Sequence, residues 1–260
     1  MALPTQKYSD CQNKFDARKY LEVYYGVDPL TQQIDEESQL TLAFLVKVFS
    51  SGAIQGDSMI EIGSGPVLHH ILSACDRFKS IYLTDYLDVN LQEIDKWLKG
   101  SKDAFDWTPY LKYVCEVEGN RSTPKDKVLR IKNKVKLMRC DVTKSNPLEP
   151  HTLPQTDCVI AAGCLICACK TLDAFSNALK NIASLIRRGG HVIIIDYLGA
   201  SYYLIGDAKM NLLSINENIV KREIIDAGFE IDEFKVENDV SIPRETFDCK
   251  QVFFLLAHRI

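Results

Sequence analysis

The sequence predicts an α/β fold in which one mostly parallel sheet is covered by helices on both faces. Three observations carry that prediction. Strand-like apolar runs alternate with amphipathic helical ones, the central runs are apolar throughout, and run after run ends on an acid or a glycine. A strand buried on both faces has no polar side, so it reads as an unbroken apolar segment. Open sheets of this kind bind ligands outside the carboxyl ends of their strands, which is where these acids collect.

With 260 residues, the chain can bury one sizeable core without disulfide or metal, and a single domain over 1–260 is expected. A net charge of −4 supplies no field that would draw in a nucleic acid. The start, Met1 to Lys7, lacks the apolar centre of a signal peptide, and Val159 to Cys169, the longest weakly polar run, is too short to span a bilayer. A soluble, cytoplasmic, monomeric protein without nucleic-acid or membrane partners is therefore expected. Nine cysteines are scattered without the look of a secreted framework. Cys164-Leu165-Ile166-Cys167 has no second pair to complete a zinc site, so no metal is expected and the thiols read as core or pocket-wall groups.

Taken in order, residues 7–29 are rich in aromatics, with Tyr20 and Tyr24 at helical spacing. This is either a helix packed flat on the domain or a lid. Tyr20, Tyr24 and Tyr25 within six residues favour a wet, ligand-facing surface. A helix from Asp35 to Phe49 follows, with Asp35, Glu36 and Glu37 favourably placed in its first turn, and it completes an N-terminal helical cap over 1–50. Met59 to Ile62 reads as the first strand, Gly63-Ser64-Gly65-Pro66 as a tight turn, and Leu68, Ile71 and Leu72 as the opening of a helix.

A dinucleotide fingerprint needs a third glycine where Leu68 stands, so close pyrophosphate approach is lost and an NAD reading weakens. Glu61 has two readings, contact with a cationic ligand or capping of loop amides. Asp85 follows Gly63 by 22 residues at the end of the strand Ser80 to Thr84, placed to accept both hydroxyls of a ribose. An adenosine-containing cofactor without a pyrophosphate fits this spacing, and a plain glycine turn beside a surface Asp is the alternative.

A helix over 88–98 is expected from Leu91, Ile94 and Leu98, then an irregular insertion over 100–123 and a lysine-rich, solvated helix over 125–137. Leu137 to Val142 reads as the third strand, closing on Asp141, and Asp157 to Ala162 as the fourth. A helix over 171–186 leads into a fifth strand, His191 to Ile195, closing on Asp196. Glu217 to Ala227 is a helix stopped by Gly228, and 231–236 and 252–257 supply the last strands.

On these residues the chain resembles the small-molecule N-methyltransferase family that includes the nicotinamide, indolethylamine and phenylethanolamine enzymes, most closely the nicotinamide members. The matching segments are Tyr20-Leu21-Glu22-Val23-Tyr24-Tyr25, Ile62-Gly63-Ser64-Gly65-Pro66, Thr84-Asp85-Tyr86, Ala104-Phe105-Asp106-Trp107, Glu118-Gly119-Asn120, Cys140-Asp141-Val142 and Ser201-Tyr202-Tyr203-Leu204-Ile205-Gly206. The resemblance implies a Rossmann-like class I methyltransferase fold of seven strands, one of them antiparallel, with S-adenosyl-L-methionine as cofactor. The cap and the 100–123 insertion would then roof a site for a small aromatic amine or pyridine.

Carried over by motif, Tyr20 and Tyr25 would reach the methionine end of the cofactor, Gly63, Ser64 and Gly65 would line it, Asp85 with Asn90 would hold the ribose, and Tyr86 would also touch the cofactor. Asp141 and Val142 would frame the adenine, and Ala162 would meet the amino-acid portion. His69 stands where relatives carry a tyrosine. Tyr20 and Asp196 are the expected catalytic residues. On the acceptor side the resemblance implies Tyr24, Tyr203 and Asp196, with Leu212 where nicotinamide enzymes have a serine and Ser241 where relatives have a tyrosine. Leu212 cannot donate to a carboxamide, which weakens nicotinamide and favours an indolethylamine or other arylalkylamine. An inactive cofactor-fold binding protein is the reading from another class.

Overall fold

The computed structural model describes residues 15–238, 240, 246–249 and 251–260. Its main sheet has seven strands in the order β3-β2-β1-β4-β5-β9-β8. These are β1 (Gly56–Ile62), β2 (Phe78–Asp85), β3 (Val135–Arg139), β4 (Thr156–Ala162), β5 (Ile186–Leu198), β8 (Phe229–Asn238) and β9 (Gln251–Arg259). β1 to β5 pair in parallel, and β9 runs antiparallel to both β5 and β8, so β9 alone is reversed. Met59 to Ile62, Cys158 to Ala161 and Val192 to Asp196 are buried, as strands covered on both faces must be. The order in which the chain adds strands reverses between β1 and β4, with the ends of β1, β2 and β4 meeting at one edge.

Several helices start where a side chain satisfies a first-turn amide. α1 (Ala17–Tyr24) and α2 (Glu36–Ser50) start at Asp16 and Asp35, whose carboxylates accept from Lys19 N and Ser38 N. α3 (Asp88–Lys99) stops at Gly100, whose φ of +73° suits a residue without Cβ. α4 is Thr108–Val117, and α5 (Pro124–Lys134) opens with a reciprocal Thr123–Asp126 capping box. A single turn, α6 (Leu165–Ala168), precedes α7 (Leu172–Leu185), which packs on β4 and β5. Finally α8 (Glu217–Asp226) packs on β8.

The structure departs from the sequence reading in several places. The segment after the glycine turn forms two 3-10 turns, His69–Ile71 and Ala74–Asp76, in place of an α-helix. Val67 to Cys75 are all buried, so no polar face exists to make an amphipathic helix, and tertiary donors take its carbonyls: Lys127 Nζ reaches Leu72 O at 2.9 Å and Lys134 Nζ reaches Cys75 O at 2.7 Å. The 100–123 segment is not irregular throughout, because α4 buries Tyr110, Leu111, Val114 and Cys115 on one stripe. The basic helix is shorter than expected, and β3 begins at Val135 and ends before Cys140. Nor is that helix simply solvated. Lys127 is 0% exposed, with Glu118 Oε2 at 2.8 Å and Asp76 Oδ2 at 3.1 Å, so its charge is held by two carboxylates and a carbonyl.

The unexpected element is a hairpin, β6 (Tyr202–Ile205) and β7 (Ala208–Asn211), joined by Gly206-Asp207 with Gly206 at φ +57°. A glycine-acid pair between two strand-prone runs is a hairpin signal in the sequence itself. The hairpin lies against α1.

Candidate active site

At the carboxyl edge of the sheet, a cavity of about 1340 Å³ of empty space, its mouth included, opens between α1, the first turn of α2, the glycine turn and the β6–β7 hairpin. A smaller one of about 580 Å³ lies beside it, against the ends of β2 and β3. Gly63, Asp85 and Cys164 line both, so the two halves meet at one waist. A methyl group placed on Gly63 would overlap Cys164 Sγ and stand 2.8 Å from its Cβ, and Gly63 has φ +65°. Glycine is thus required here twice over, by space and by backbone conformation.

The turn is held by Asp85. Its Oδ2 accepts from Gly65 N at 2.8 Å, and its Oδ1 accepts from Leu87 N at 2.8 Å and from Asn90 Nδ2 at 2.9 Å. Burial pushes this carboxyl above its usual range, against the pull of those three donors. Asn90, having given its amide to Asp85, leaves Oδ1 buried without a donor among the described residues. His69 Nδ1 is likewise buried without a partner, and burial together with His70 drives the ring well below its usual basicity, so it is neutral. Its ring stacks on Trp107 at 5.6 Å and packs 5.0 Å from Tyr25, which is how the 100–123 segment reaches the cavity. Glu61 faces neither cavity: its Oε1 lies 2.7 Å from His70 Nδ1 in the core.

The first cavity gathers Tyr20, Tyr24, Tyr25, Gly63, Ser64, Gly65, His69, Asp85, Asn90, Ala162, Tyr203 and Leu212. Tyr86, Asp141 and Val142 line the second. Tyr20 is the centre of an aromatic cluster, with Tyr24 at 5.1 Å, Tyr25 at 5.7 Å and Tyr203 at 6.3 Å between centroids. Tyr24 Oη lies 2.7 Å from Leu204 O and 3.1 Å from Thr246 O, tying α1 to the hairpin. Ser241 lies outside the described residues.

Asp196 stands at the same sheet edge but lines neither cavity. It is 1% exposed, and its oxygens accept from Ile166 N at 3.3 Å and Tyr197 N at 3.1 Å, so it caps α6. Burial pushes its carboxyl up to about 7. A folded-state value above the ordinary 3.8 means stability present at low pH is lost as pH rises through about 7. Asp196→Asn is therefore expected to flatten the fall in melting temperature between pH 5 and pH 8, read by thermal denaturation. An equal slope in both proteins would refute this burial effect.

Sequence reasoning missed Glu37 and Tyr197. Glu37, read only as a favourable first-turn acid, lines the cavity and accepts a short hydrogen bond from Tyr197 Oη. Its carboxyl is pushed up to about 7, by burial first, then by Asp35 and Asp196, with the Tyr197 bond opposing. Tyr197 offered only its place next to Asp196. Burial holds the Cys164 thiol well above its usual range, which disfavours the thiolate. No group of three or more His, Cys, Asp or Glu among the described residues is arranged to hold a metal, and no helix among them is long and apolar enough to cross a membrane.

The strand order, the glycine turn at the end of β1 and the acid at the end of β2 define a class: the Rossmann-like class I fold of S-adenosyl-L-methionine-dependent methyltransferases. Two solved structures share it, the magnesium protoporphyrin IX methyltransferase of Synechocystis with bound cofactor (TM-score 0.60, 16% identity, 96% of this chain and 94% of that one) and a methyltransferase of Methanosarcina mazei (TM-score 0.59, 11% identity, 82% and 97%). Residues 4–260 match the NNMT/PNMT/TEMT family, and the chain belongs to it. It is 42% identical over 223 residues to human nicotinamide N-methyltransferase, covering 85% of this chain and 84% of that one. It is 38% identical over 249 residues to rabbit (Oryctolagus cuniculus) indolethylamine N-methyltransferase, covering 95% and 94%. It is 33% identical over 224 residues to human phenylethanolamine N-methyltransferase, covering 84% and 79%. Relatives with different acceptors match at similar strength, so family membership does not select the nicotinamide members as the resemblance suggested.

Proposed function

We propose that this chain transfers a methyl group from S-adenosyl-L-methionine to the nitrogen of a small aromatic compound. The observation that carries this reading is the continuity of the nucleoside cradle around Gly63, Asp85 and Asn90 with an aromatic-walled cavity under α1. The orphaned Asn90 Oδ1 suits a ribose hydroxyl donor, and the glycine waist suits close approach of a ligand to backbone, so the residues present fit the cofactor. When bound, the cofactor supplies a methyl already activated on a sulfonium sulfur.

The protein's own part is to orient and to exclude water. Asp85 and Asn90 would grip the ribose, Asp141 and Val142 would frame the base, and the backbone at Gly63 and Ala162 would meet the amino-acid portion. Tyr20, Tyr24, Tyr25 and Tyr203 would close α1 and the hairpin over the acceptor. The cap and the segment behind His69 would form the roof and its support, and Asp196 would act from behind that wall by fixing α6.

Two acceptors compete. Identity with the nicotinamide enzyme favours nicotinamide or a related pyridine. Leu212 in the cavity wall favours an indolethylamine or other arylalkylamine, because it leaves a carboxamide without a donor. Leu212→Ser should raise the kcat/KM ratio of nicotinamide over tryptamine by about fivefold, the worth of one hydrogen bond, and a constant ratio would free that residue of the role. The overall reading is tested with labelled cofactor and a panel of nicotinamide, quinoline, tryptamine, phenylethanolamine and histamine. Cofactor binding with transfer to none of them would favour a catalytically inactive binding protein.

A further inference from the structure

Glu37 is a carboxylate on the wall of an aromatic cavity, placed there by the first turn of α2 and held by Tyr197 Oη. Among the described residues no cationic side chain pairs with it. Its surroundings are acidic or aromatic: Asp35 and Asp196 add negative field, while Tyr20, Tyr24 and Phe247 line the same space and Phe247 packs edge-on to Tyr197 at 4.6 Å. Among the described residues a carboxylate so placed has no positive partner, and an aromatic wall receives a flat apolar body.

Resting on the methyltransferase reading, we propose that Glu37 selects the acceptor by accepting an N–H hydrogen bond from a primary or secondary amine carried on an aromatic body. A pyridine without an amide, such as quinoline, has no N–H to offer, so this carboxylate discriminates between amines and such rings. In the transfer, the amine lone pair forms the new nitrogen–carbon bond and the carbon–sulfur bond breaks with its pair left on sulfur. The N–H that Glu37 accepts is retained through the step. The ammonium form of the amine gives one proton to water before attack, and the methylated nitrogen becomes a cation beside the carboxylate and leaves protonated. Charge grows on nitrogen during this step, so the contact strengthens toward the transition state.

The test compares tryptamine, an amine, with quinoline, which has no N–H, in the full-length protein. Glu37→Gln is expected to lower the kcat/KM ratio of tryptamine over quinoline by about tenfold, the cost of a charge-assisted hydrogen bond, and to leave S-adenosylhomocysteine affinity by calorimetry within about twofold. Tyr197→Phe, which removes only the donor holding the carboxylate, should lower the ratio by about threefold and serves if the first variant fails to fold. An unchanged ratio in either folded variant overturns the assignment, as does a parallel loss of homocysteine-product affinity, which would put Glu37 on the cofactor. Wild-type turnover of quinoline or nicotinamide with none of any amine overturns the role of Glu37 and leaves the methyltransferase reading standing. Cofactor binding without transfer to either class overturns both.

Discussion

Gly63→Ala is expected to weaken S-adenosylhomocysteine binding about 30-fold or more, equivalent to about 2 kcal/mol. The added methyl has nowhere to go, since Cys164 fills the space and φ is +65°. Overpacking of this sort costs about 1–3 kcal/mol and the left-handed backbone about 1–2 kcal/mol more. For a chain of this length that lowers the melting temperature by about 5–15 °C. Adding Cys164→Gly should recover the packing part and leave the backbone part, so a double-mutant cycle separates them. Full affinity and full stability in the single variant would show that the turn is not held against Cys164.

Asp85→Ala is the second large effect, with cofactor affinity expected to fall about 100-fold, near 3 kcal/mol. Three donors lose their acceptor at once: Gly65 N, Leu87 N and the Asn90 amide. Each buried donor left unmade costs about 1–3 kcal/mol, and part of that falls on the turn rather than on the ligand. Asp85→Asn keeps one acceptor oxygen and should fall between the two. Calorimetry on the folded variants checks both, and unchanged affinity would mean that the ribose is held elsewhere.

Much of the sheet was legible because burial leaves a plain mark. Met59 to Ile62 and Val192 to Ile195 are apolar on every side chain but Glu61, and they are central strands. Glu61 could sit there because His70, nine residues on, partners it out of sight of any strand pattern. Caps were legible too, as Asp35 shows at α2. What escaped depends on contacts distant in sequence. The helix expected after Gly65 is lost because carbonyls of 72 and 75 are claimed by Lys127 and Lys134 from α5.

The site divides the same way. Gly63, Asp85 and Asp141 were found from strand ends, since topology alone carries them to one edge. Where a side chain points at that edge is a tertiary matter: Asp196 turns into the α6 amides, while Glu37, unremarkable in a helix first turn, turns into the cavity. Periodicity places a residue on a face of its own element, and it says nothing of which neighbour that face meets.

The contact of Tyr24 with the hairpin bears on traffic through the site. Its single hydroxyl proton is shared between two carbonyls, at 2.7 Å and 3.1 Å, and cannot bond fully to both. Releasing it to water forfeits about 1 kcal/mol, which leaves the unlatched form populated at roughly one part in five or six. On the proposed reading, so light a clasp would shelter the reactants without itself holding back product, and the packing of Tyr24 on Tyr20 and Tyr203 would carry the rest of the closure.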